Sequence, residues 1–276
     1  IEWPGLSLET FERLTAEQWQ PLVDWLDESA DLSPGTIGKH WRALRVFLNH
    51  AKKCNAIRWY CEPELPRGED LKRVYSPAEV ERLWIAYKPW PLLRAAFVCS
   101  LNSGLRTNDL LGLPWSALQT DVAGRPVLKF QAKKTNKQQT IPLAPVTLAA
   151  IESLRPLTSG SPWMFWGLTN PAVKFPERSK FALERREIVR SVIKSCDLHE
   201  TPNPKRPGPT PLIRKPWQVG RATCATRYDT FHLGVGSFLL GHALTGVTAR
   251  SYTEPTELVW EAVLNVPQYD CFKEWQ

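Results

Sequence analysis

Along most of the chain the apolar residues recur every three or four positions, the period of a helix with one buried face; only between positions 127 and 143 does it shorten to that of a strand. Thr15-Ala16-Glu17-Gln18 has the form of a capping box, and Trp19, Leu22, Val23 and Leu26 follow at helical spacing, predicting a helix that ends near Ser29. Ser33-Pro34 opens a second helix with the stripe Ile37, Trp41, Leu44 and Leu48. Lys39, Arg42 and Arg45, with Lys52 and Lys53 beyond, lie mostly off that stripe, giving a basic face suited to a phosphate backbone. Residues 61–75, CEPELPRGEDLKRVY, lose the period and read as a linker. Ser76-Pro77-Ala78-Glu79 is another capping box, and Val80, Leu83, Trp84 and Tyr87 form the buried face of the helix it starts. The pattern therefore predicts a helical domain over 1–65, a linker over 66–75 and a larger domain over 76–276 that ends in a tail.

Within the larger domain a helix over 91–103 stops at Gly104, and a short one follows over 105–113. Residues 127–131 and 138–143 flank Lys133-Lys134-Thr135-Asn136-Lys137, which predicts a β-hairpin with lysines at its tip. Helices are expected over 145–154 and 180–196, then from Pro216 and over 256–264. Between them residues 201–216, TPNPKRPGPTPLIRKP, form a basic, proline-rich loop.

Composition narrows the partners. The 276 residues carry a net charge of +7, which favours a polyanion, and 43% apolar with 23% charged residues is the balance of a globular chain. No apolar run reaches the roughly eighteen residues of a membrane span, and the first residues, IEWPGLSLE, lack a secretory apolar region. A cytoplasmic location is expected, in a bacterial or phage setting. The six cysteines are scattered without CxxC pairs, so neither zinc nor a disulfide framework is indicated. Ile1 is not a methionine, so the chain is expected to begin partway through a longer protein.

Candidate chemistry gathers in four places. Arg106 and Asp109 stand three apart on the predicted short helix, where the carboxylate can orient the guanidinium. Lys133 and Lys134 sit at the hairpin tip, and Gln218 and Arg221 share one helical face. The stretch LLGHALTGVTARSY places His242 and Tyr252 within one short segment. A phenol among cations is suited to attack on phosphorus.

Taken together and in this order, these segments resemble the boxes of the tyrosine recombinases, the phage-type integrase family, over about residues 76–255. GLRTNDLLGL is similar to the first arginine box, with Arg106 as the arginine and Asp109 at the acidic position. KKTNKQQTIPL is similar to the hairpin of the active-site lysine and favours Lys134. QVGRATCAT resembles the H-x-x-R box, with Arg221 as the second arginine, and LGHALTGVTARSY the last box, with His242 and the nucleophile Tyr252. One departure stands out: Gln218 occupies the usual histidine position, and an amide cannot exchange a proton as an imidazole does. The spacing from His242 to Tyr252 is ten residues where nine is usual.

The resemblance implies a mainly α chain with a small antiparallel sheet (α+β). A helical core-binding domain and a catalytic domain would form a C-shaped clamp on double-stranded DNA. It implies strand exchange between paired recombination sites through a 3′-phosphotyrosyl intermediate, without metal or cofactor. A homotetramer would do this work, with the tail after Leu264 a candidate for docking onto a neighbour. Arg106, Lys134, Gln218, Arg221, His242 and Tyr252 would form the active site, supported by Asp109, with Lys39, Arg42, Arg45 and Lys133 on DNA. Gln218 keeps open a member that binds DNA without cutting it, and the shared phosphotyrosine chemistry keeps open a type IB topoisomerase.

Overall fold

The computed structural model describes residues 15–28, 32, 34–65, 73–158, 160–165, 178–202, 209–241 and 255–275. The chain divides into two compact units, Ile1–Leu71 and Lys72–Gln276, each taken here by itself.

In the first unit α1 (Ala16–Glu28) and α2 (Pro34–Lys53) pack together. The Gln18 side chain accepts the Thr15 N–H at 2.9 Å, closing the first turn as the capping pattern requires. Ile37, Trp41, Leu48 and Ala51 of α2 are buried, and Ile57 closes a small core with Trp41, Leu48 and Ala51. The predicted stripe of α2 thus faces inward, and Lys39, Arg42 and Arg45 are exposed.

The second unit is built around α4 (Pro91–Ser103), in which every residue but Pro91 and Arg94 is buried. Such a helix is buried on nearly every side: α8 (Pro216–Phe231) lies against it, as does α6 (Pro145–Glu152). Before it, α3 (Pro77–Ala86) starts in a full capping box: Glu79 N–H bonds Ser76 Oγ at 3.3 Å, and Ser76 N–H bonds Glu79 Oε2 at 2.8 Å. α5 (Thr107–Leu110) follows α4 directly. Next comes the antiparallel sheet β1 (Leu118–Thr120), β2 (Pro126–Gln131) and β3 (Gln138–Pro142), in that order. In β2 and β3, Leu128 faces Ile141 and Gln131 faces Gln138, so the tip lies at 132–137 as the change of period requires. β1 was not anticipated; three residues, none of them fully buried, leave too short a pattern to read.

α7 (Arg178–Ser195) precedes the proline-rich loop, and Glu200 N–H to Pro211 O (2.9 Å) and Ile213 N–H to Leu198 O (3.0 Å) staple the loop's stem. Residues 203–208 of that loop lie outside the described residues. His199 at the stem faces acceptors with both ring nitrogens, Asp197 Oδ1 at 2.8 Å and the Thr210 carbonyl at 2.5 Å. Hydrogen bonding to Asp197 first, then to Thr210, raises its pKa above the ordinary histidine value. After α8 comes α9 (Val235–Leu239), then α10 (Glu257–Asn265), capped by Thr256.

The chain closes in a short aromatic tail. Its last turn, Asp270–Trp275, packs within its own unit, with Phe272 fully buried against Trp84 at a ring separation of 5.0 Å. Trp84 and Trp275 meet edge to face at 4.9 Å, and Arg94 lies 3.5 and 5.8 Å from their ring centroids and pairs with Glu274 at 2.5 Å. These contacts fix the tail against α3 and α4.

Candidate active site

The arginines are set by backbone before side chains enter. α4 ends at Gly104 with φ +59°, a left-handed residue that turns the chain sharply toward Arg106. Leu240 and Cys224 crowd this glycine so closely that an added Cβ would lie 3.0 Å from one and 3.2 Å from the other. Arg106 itself occupies the N-cap of α5 in extended conformation (φ −66°, ψ 145°), not an interior helical position. Its carbonyl receives the N–H groups of Asp109 and Leu110, and its buried Nη1 has no hydrogen-bond partner among the described residues.

The expected Arg106–Asp109 pairing is corrected. The buried Asp109 carboxylate accepts the Lys133 N–H through Oδ1 at 3.0 Å, and no hydrogen bond or ion pair joins it to Arg106 among the described residues. Extended backbone at Arg106 breaks the i, i+3 register on which that pairing depended. Asp109 therefore ties α5 to the hairpin. Lys133 also donates through Nζ to the Asn108 carbonyl at 3.1 Å, while Lys134 is exposed in the turn.

Arg221 approaches from α8, donating through Nη1 to the Gly104 carbonyl and through Nη2 to the Leu240 carbonyl at 2.6 Å. One side chain thus stitches the ends of α4 and α9 to α8. Burial, and next the positive charge of Arg106, lower its pKa to about 10, so it stays charged at neutral pH. A guanidinium that is both desolvated and repelled by another is a place where an anion is favoured. Gln218 lies one turn earlier on α8 and is exposed. Cys224 and Tyr228 are buried in the core, and Trp217 stacks on Tyr87 at 6.5 Å.

Arg106, Arg221, Asp109 and the hairpin tip are thereby gathered around the end of α4. His242 and Tyr252 lie outside the described residues. Sequence reasoning missed the carbonyls of Gly104 and Leu240, because backbone acceptors have no residue signature. In the first unit, Lys39 and Arg42 remain exposed, Arg42 with its Nε on the Gly38 carbonyl at 3.0 Å, but Arg45 is paired with Glu62 at 3.2 Å. That carboxylate came from the stretch read as a linker. Among the described residues no helix is long and apolar enough to cross a membrane.

No protein-family model matches the chain. No curated protein matches it either. Among solved structures it is similar to lambda integrase in a tetramer bound to a Holliday junction, at 16% identity and TM-score 0.61 over 92% of this chain and 70% of that one. The Tn1549 transposon integrase with circular intermediate DNA gives 18% identity and TM-score 0.53, covering 92% and 88% of the two chains. XerH recombinase, in a post-cleavage complex with palindromic difH, gives 15% and 0.55 over 86% and 70%. At these identities the likeness is one of architecture: a mainly helical chain with a small antiparallel sheet, it has the fold of the tyrosine recombinases.

Proposed function

We propose that the protein is a site-specific DNA recombinase that cuts and rejoins strands through a tyrosine. The observation that carries this reading is the pairing of two guanidiniums from separate segments, one of them desolvated and held by the carbonyls of Gly104 and Leu240. The fold supports it independently, since the similar structures are recombinases bound to DNA.

The chemistry follows from charge. A phosphodiester repels nucleophiles, and its transition state concentrates charge on the nonbridging oxygens, where Arg106 and Arg221 would donate. Tyr252 would attack phosphorus, forming the tyrosyl–phosphorus bond as the bond to the 5′-oxygen breaks. An ordinary phenol near pKa 10 needs its proton removed in that attack. The departing oxygen needs a proton in turn, and Lys134 on the hairpin would supply it as general acid. Lys133 suits this role less, because its ammonium is engaged by the Asn108 carbonyl. His242 and Gln218 would add hydrogen bonds to the phosphate, Gln218 without proton exchange. The phosphotyrosyl bond keeps the diester's energy, so another strand's 5′-hydroxyl reverses the reaction. Exchange between paired sites requires several active sites, and a homotetramer on double-stranded DNA is the assembly we propose.

Gln218 favours one rival, a member that binds DNA without cutting it. A nicked suicide duplex built from the imperfect inverted repeat beside the gene separates the two. Wild type should form a covalent adduct; Tyr252→Phe should bind equally well and form none. Tight binding by wild type with no adduct would establish the rival.

A further inference from the structure

The turn between β1 and β2 holds an arginine that the reaction above leaves unused. Asp121 organises this turn, its Oδ1 accepting the N–H groups of Ala123 (2.9 Å) and Arg125 (2.8 Å). Arg125 then spends its whole guanidinium: Nε on Asp121 Oδ2 at 2.8 Å, and Nη1 and Nη2 each on one Glu257 oxygen at 2.9 Å. Its planar group lies 4.3 Å from the ring centroid of Trp260, which is buried. Hydrogen bonding to Glu257 is the largest influence raising the Arg125 pKa, and bonding to Arg125 lowers that of Glu257.

The position of Glu257 gives this pair its meaning. It is the first residue of α10, five residues after Tyr252, and five residues extend at most about 17 Å. At the other end of 242–254, Gly241 has φ +62° and lies against β3: an added Cβ would fall 1.6 Å from the Gln139 amide nitrogen. β3 also packs on α10. Both stems of the segment therefore rest on the one sheet whose opposite turn carries Lys134.

We propose that Arg125 is a positioning residue for strand cleavage: through Glu257 it holds the exit of the Tyr252 segment in register with the hairpin that carries Lys134. This role rests on the recombinase reading above. A purely structural ion pair would act otherwise. Glu257 is 83% exposed, and pairs with so open a partner contribute little to stability.

The test compares Glu257→Gln, Arg125→Gln, Arg125→Lys and the double Gln variant on the nicked suicide duplex, recording adduct rate, Kd and Tm. Glu257→Gln should slow adduct formation about tenfold with Kd within about twofold and Tm nearly unchanged, and Arg125→Gln should slow it at least as much while also lowering Tm, because it strips the Asp121 carboxylate, only 7% exposed, of its cationic partner. The double variant should be no slower than the slower single, and Arg125→Lys should recover part of the rate. An unchanged adduct rate in Glu257→Gln, or one that falls only in step with affinity or Tm, would overturn the role while leaving the recombinase reading intact. Absence of adduct from wild type would remove both.

Discussion

The chain carries cations in two contrasting settings. Arg221 in the second unit is largely desolvated, aimed by two backbone carbonyls and repelled by Arg106. Lys39 and Arg42 of α2 stand in water, and Arg45 beside them shares an open pair with Glu62, both side chains about half exposed. The difference teaches what each group can do. A fixed, dry cation acts on charge that develops at one point, whereas a hydrated one on a long stem neutralises a diffuse phosphate surface and yields readily to salt.

If this division is right, the largest effect belongs to Arg221. Arg221→Ala should lower the adduct rate by about 10³, with a much smaller change in Kd, and Arg221→Lys should not rescue it, because an ammonium cannot span both carbonyls and a phosphate. A lysine variant of near wild-type rate, measured by single-turnover cleavage, would erase the distinction. Lys134→Ala should come next, losing about 10² in rate, within the usual range for general acid catalysis. Replacing the 5′ leaving oxygen with sulfur should restore that rate, since a thiolate leaves without a proton; a loss that persists on the sulfur substrate would place Lys134 among the phosphate binders. Arg42→Ala should have the smallest effect, weakening binding a few-fold and reducing the salt slope by about 1 while the bound complex cleaves at the wild-type rate. A titration of Kd against salt that keeps its slope would take α2 off the DNA backbone.

Much of this arrangement was legible from residue order alone. The capping box at Ser76, the hairpin around 132–137 and the buried stripe of α2 each follow from local rules that burial reinforced. Asp109 was legible as a supporting residue but not in its partner. Spacing gave an i, i+3 pair with Arg106, and the extended backbone after Gly104 directed the carboxylate to Lys133 instead. Arg125 was invisible, since its 132-residue separation from Glu257 leaves no periodic trace. The tail's contacts were hidden for the same reason: the approach of Arg94 to Trp275 joins segments far apart in the chain.

The bond from Asp109 to the Lys133 N–H divides the hairpin into an anchored and an adjustable part. Lys133 is tied to α5, while Lys134, Thr135, Asn136 and Lys137 are exposed to solvent. On the proposed mechanism, insertions or deletions in those few positions would lengthen or shorten the reach of Lys134 without disturbing the arginines. Loop length alone would then set the reach of the proposed proton donor, so long as the aspartate stays.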